Sequence, residues 1–129
     1  MNSSSTRPKD SLWMSAVAAV FFIAWGLWIN WEYGMRARVQ VAITQGVVSF
    51  VSTLFSAELI VWLGQRLKDP RFPVIRNGTL SWIVFHTMIA AAHHFAGTPE
   101  LFKTMMPGMV TGVFFCFGYA ARVQRFIGK

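Results

Sequence analysis

The chain has few of the residues that a water-facing surface needs. Of its 129 residues only 13% are charged, and Asp and Glu together number five. That is about half the charged share of an ordinary soluble domain, which argues against a soluble globular fold. A single cysteine, Cys116, excludes an internal disulfide. There is no phosphate-cradling glycine loop, zinc-ligand spacing, pair of catalytic carboxylates or nucleophile triad, so no motif names a reaction and an enzyme is not the expectation. Repeats at solenoid periods are absent as well, and the length suits one domain.

Apolar sequence is what the chain does have. Hydrophobic residues make up 54% of it. They gather in four stretches, Leu12 to Trp31, Val39 to Leu63, Leu80 to Ala96 and Leu101 to Ala121. Each is near the ~20 residues an α-helix needs to cross ~30 Å of hydrocarbon. The expected fold is all-α: a polytopic membrane protein built as a bundle of four transmembrane helices. Residues 1–11 read as a disordered cytoplasmic tail, 12–122 as the membrane domain and 123–129 as a basic cytoplasmic tail. The first stretch is too long for a signal-peptide core, and it ends in Trp28, Asn30, Trp31, Glu32 and Tyr33 rather than in small residues, so it should stay attached.

The positive charges predict the orientation. Arg7, Lys9, Arg66, Lys68, Arg71, Arg76, Arg122, Arg125 and Lys129 fall on one side, against Arg36, Arg38 and Lys103 on the other. Positive flanks stay cytoplasmic, which puts both termini inside a bacterial-type inner membrane. Topology and attraction to membrane lipids explain the isoelectric point near 10.6. Nucleic acid is not an expected partner, because no basic stripe is interleaved with exposed aromatics. Trp25, Trp28, Trp31 and Tyr33 at one surface, and Trp13, Trp62 and Trp82 at the other, read as interfacial belts.

Prolines mark the helix limits. Asp69-Pro70-Arg71-Phe72-Pro73 breaks the chain between the second and third helices, while Thr98-Pro99-Glu100 reads as the capped start of the fourth. Pro107 lies further in, where it frees the carbonyl of Lys103 and should bend the helix. Gly108, Gly112, Cys116 and Ala120 recur every fourth residue and form a small-residue ridge for helix packing, within the bundle or across a dimer.

Polar residues inside these stretches are the candidate site. On the second helix Gln45, Ser49, Ser52 and Ser56 fall within about 60° of one another and form a polar stripe that should face protein. The stripe reads either as hydrogen-bonding glue between helices or as the wall of a polar cavity. Glu58 is the one acid clearly inside a stretch, about two turns from Arg66, where an unpaired carboxylate is costly. His86, on the third helix, should reach a similar depth, so a Glu58–His86 contact is expected beside a polar cavity. The substrate-binding set is therefore Glu58, His86, Gln45, Ser49, Ser52 and Ser56.

No cofactor is expected. Two haem-ligating histidines would need facing helices, and all three histidines share one. A copper site from His93, His94, Met105, Met106 and Met109 is the weaker alternative, since imidazole and thioether suit Cu(I). The resulting functional expectation is a small, transporter-like membrane protein that handles a lipid or amphipathic small molecule, with proton coupling through Glu58 and His86. The alternative is a non-catalytic accessory subunit that docks a larger membrane complex. Membrane lipids and a homo-oligomer or membrane complex are the expected partners.

Overall fold

The computed structural model describes residues 7–67 and 71–127, with side chains from residue 12 onward. It is all-helical, with four helices: α1 (Arg7–Ile29), α2 (Met35–Arg66), α3 (Pro73–Phe95) and α4 (Leu101–Ile127). Three of them contain segments long and apolar enough to cross a membrane: Leu12–Ile29, Met35–Arg66 and Leu101–Ile127. The exception is α3. Its length is adequate, but Arg76, Asn77, Ser81, His86, His93 and His94 dilute its apolar sequence.

Helix extends beyond both expected ends of the membrane domain, since α1 begins at Arg7 and α4 runs on to Ile127. Residues 1–6 of the expected tail at 1–11, residues 69–70 of the expected break at 69–73 and residues 128–129 of the expected tail at 123–129 lie outside the described residues. At the end of that break, Phe72 caps α3 in the left-handed region with φ 55°, and Pro73 occupies the first turn. The other end of α3 closes in a Schellman motif. Gly97 takes φ 66°, its N–H donates to the His94 carbonyl at 3.1 Å, and the Thr98 N–H donates to the His93 carbonyl at 3.1 Å.

The expected start of α4 shifts by two residues. Helix begins at Leu101 rather than at Pro99. The Thr98 hydroxyl, read as its cap, instead lies 2.8 Å from His93 Nδ1. A threonine buried against a histidine on the preceding helix serves the turn between them.

Small residues explain how the helices are arranged. α2 is central and packs against all three others, α3 pairs with α4, and α1 lies along α2 and touches α4 only lightly. The inward face of α2 carries Gln45, Ser49, Ser52, Thr53, Ser56, Ala57 and Gly64, so neighbouring backbones can come close. Its opposite face is a column of exposed Val39, Ile43, Val47, Val51 and Phe55. Ile60, Cys116, Ala120 and Val123 form the buried core shared by α2 and α4, with Trp82 of α3 packed against it.

Along the small-residue ridge, Gly112, Cys116 and Ala120 are buried and Gly108 is half-buried. Gly112 is the tightest point: a Cβ there would lie 2.5 Å from His86 Cε1. The equivalent atom at Gly108 would meet the Phe22 ring at 3.5 Å, an ordinary contact. Gly112→Ile should therefore lower the melting temperature in detergent by several degrees by driving α3 from α4, whereas Val113→Ile, on an exposed position, should leave it unchanged. Equal melting of the two variants would remove Gly112 from the packing argument.

Candidate functional site

Pro107 organises the middle of α4. It has no N–H, so the Lys103 carbonyl one turn earlier loses its helical donor. That carbonyl accepts the indole N–H of Trp25, on α1, at 3.1 Å. Three more side chains reach the same stretch of backbone. Gln45 Nε2 from α2 donates to the Thr104 carbonyl at 3.2 Å, and Trp82 Nε1 from α3 donates to the Met109 carbonyl at 3.1 Å. His86 Nε2 lies 3.0 Å from the Gly108 carbonyl. Trp25 and Trp82, read from sequence as interfacial belts, thus point their indole N–H groups at α4, while Trp13, Trp28, Trp31 and Trp62 remain exposed.

Beside these contacts is a cavity of about 490 Å³. All four helices contribute to it, with Val17 and Phe21 from α1, Phe85 from α3 and Phe115 from α4 among its apolar walls. Its polar lining consists of Gln45, Ser49, Thr53, His86, Thr104 and Thr111, and no Lys, Arg, Asp or Glu is among its described lining residues. The volume is in the range of small-molecule sites.

The sequence-derived site residues separate into three groups. Gln45, Ser49 and His86 meet in the cavity. Ser52 and Ser56 are buried but lie away from it: Ser52 donates to the Val48 carbonyl of its own helix, and the Ser56 hydroxyl has no partner among the described residues. Glu58 is exposed, on the outward face of α2 between Phe55 and Trp62, and does not line the cavity. The expected Glu58–His86 contact is not formed, because His86 is buried against α4 with its nitrogens facing the carbonyls of Trp82, at 2.8 Å, and Gly108. Similar depth is not enough for contact: Glu58 lies on the face of α2 opposite the buried stripe, so its carboxylate is turned outward.

The copper alternative divides in a similar way. His93 is fully buried, with Nε2 unpartnered, whereas His94 is exposed and edge-on to Phe95. Met105 is buried and Met106 exposed, and no cluster of three or more His, Cys, Asp or Glu able to hold a metal occurs among the described residues. Four polar residues were missed from sequence. Thr53, Thr104 and Thr111 line the cavity, and Asn30, fully buried, donates through Nδ2 to the Gly26 carbonyl at 2.9 Å and to Thr104 Oγ1 at 3.1 Å. A lone Asn closing an apolar run was the available signal for the last.

No family model matches the chain, and no curated protein or solved structure matches it.

Outside the helices, one polar contact ties the α1–α2 turn to the start of α4. Tyr33 Oη donates to Glu100 Oε1 at 2.9 Å, and Lys103 Nζ lies 3.2 Å from Glu100 Oε2. The tyrosine bond, then the lysine, hold the Glu100 carboxyl below its ordinary range, and the same bond raises the Tyr33 phenol. A lowered carboxylate contributes stability that is complete above the ordinary glutamate pKa and lost as pH falls through the lowered one. Melting curves of the wild type and Glu100→Gln should therefore differ by a small, constant amount around neutrality and converge in acid. A gap that persists in acid would contradict this role for the carboxylate.

Proposed function

We propose that this chain is a four-span membrane protein that binds a lipid or amphipathic small molecule in the cavity between its helices. The carrying observation is the cavity itself, where Gln45 and Ser49 of the α2 stripe and His86 meet aromatic walls from the other helices. Intramembrane polar groups gathered at one cavity suit a binding site better than scattered glue between helices. On this reading α3 is the fourth span despite its lower hydropathy, because its buried face carries Asn77, Ser81, His86 and His93 against protein rather than lipid.

The nine-to-three bias of Lys and Arg supports a bacterial-type inner membrane with both termini cytoplasmic. Proton coupling through a Glu58–His86 pair has no support in the geometry, since the two side chains point to different surroundings. Transport or retention of the bound molecule then depends on His86, Gln45 and Ser49 without the acid.

Glu58 favours one second reading. Its exposed carboxylate has no hydrogen bond or ion pair among the described residues, and it lies on an apolar outward face. A cationic group on another membrane protein, or on a second copy, would satisfy it, as the accessory-subunit alternative requires.

Native mass spectrometry from mild detergent separates the readings. The wild type should carry a bound lipid-sized molecule. Ala18→Trp, which fills the cavity from α1, should lose it at unchanged melting temperature, and Val51→Trp on the outer face should retain it. Recovery of the wild type empty of small molecules, with a stoichiometric protein instead, would overturn the binding proposal in favour of the subunit.

A further inference from the structure

We infer that the cavity selects an uncharged lipid alcohol, bound with its hydroxyl inward and its chain leaving sideways past α1. The inference rests on the binding proposal above and names the class of molecule bound. Its first support is the lining, which includes both hydrogen-bonding and aromatic side chains but no ionisable acid or base other than His86. An unpaired phosphate, carboxylate or ammonium placed there would find no counter-charge in a low-dielectric site. Both ring nitrogens of His86 face backbone carbonyls, those of Trp82 and Gly108, so neither is turned towards a ligand.

The second support is which polar atoms remain unoccupied. Gln45 donates to a carbonyl oxygen, Thr104 O, so its amide nitrogen faces that oxygen and its Oε1 is turned the other way. Neither Gln45 Oε1 nor the Ser49 hydroxyl has a hydrogen-bond partner among the described residues, and both residues line the cavity. They are one helical turn apart on one face of α2, about 6 Å. A ligand hydroxyl suits this pair because it donates to Gln45 Oε1 and accepts from Ser49, whereas an ether or ester can only accept.

The direction of the chain follows from the helix packing. Gln45 and Ser49 are buried at the floor, while Trp13, Val17 and Phe21, successive turns of α1, are more than half exposed and also line the cavity. α1 makes no close backbone approach to α3 and only a light one to α4, so the side of the cavity along α1 is its open side. A polar floor and an apolar mouth seat an amphiphile head first, with its tail towards the lipid.

Photolabelling of the full chain in nanodiscs tests the inference. The probes are a long-chain alcohol carrying a diazirine, and the same chain ending in a methyl ether, a carboxylate or a trimethylammonium group. The alcohol should label peptides lining the cavity saturably. The two charged probes should label them about a hundredfold less, and the ether about fivefold less. Ser49→Ala should weaken alcohol labelling about fivefold, while Ser52→Ala, whose hydroxyl bonds within its own helix, should not. Equal cavity labelling by charged probes and alcohol would overturn the selectivity and leave the binding proposal standing. Absence of cavity labelling by every probe would overturn both.

Discussion

A proline inside a helix leaves a carbonyl without its donor, and in this chain the remedy comes from a different helix. Trp25 on α1 donates to the Lys103 carbonyl that Pro107 frees. Around it, Gln45 on α2 and Trp82 on α3 donate to neighbouring carbonyls of α4, and His86 on α3 faces another. If the helices lie in lipid, as proposed, no water is present to satisfy such groups, and each unsatisfied one is costly. The Trp25 bond therefore satisfies the freed carbonyl, and the contacts together fix α4 relative to all three partners. Apolar packing alone would specify this less well, because lipid tails are as apolar as Leu or Val.

The cavity follows from the same arrangement. His86 can reach the α4 backbone only because Gly112 has no side chain: a Cβ there would clash with the imidazole. Trp25 and Asn30 hold α1 to α4 near its start, at Lys103 and Thr104, while further along α1 Trp13 and Phe21 are exposed. Helices fixed at one level and unfilled at another leave a space between them. Gln45 joins the two features, since its amide nitrogen braces α4 while its side chain also lines the space.

The helices were legible in the sequence because the length and spacing of apolar runs are local properties. The buried stripe Gln45, Ser49, Ser52 and Ser56 was legible for the same reason, since helical periodicity places it on one face. Which part of the stripe meets a cavity was not. Ser49 and Ser52 both lie on the buried face, yet one meets open space and the other its own helix, a difference set by residues of α1 and α4 far away in sequence. Glu58 shows the limit most plainly. Depth along a helix can be counted from its ends, but a matching depth is not a contact: helical periodicity already turns Glu58 away from the buried stripe, and the structure leaves it exposed while His86 is packed against α4. The bonds of Trp25 and Trp82 to α4 were not legible either, since an indole near a helix end fits an interfacial pattern whether its N–H meets headgroups or a backbone carbonyl.

A double-mutant cycle between Trp25 and Pro107 tests the central claim, that the indole stands in for the donor the proline lacks. Unfolding free energy in detergent would be measured for the wild type, Trp25→Phe, Pro107→Ala and the pair. In Pro107→Ala the new alanine supplies its own N–H to the Lys103 carbonyl, which makes the indole bond redundant. The account predicts that Trp25→Phe costs about 1 kcal/mol when Pro107 is present and much less in the Pro107→Ala background, a coupling well above the error of such cycles. Equal costs in the two backgrounds would show that Trp25 acts through packing alone, and would contradict the claim that proline-freed backbone holds this bundle together.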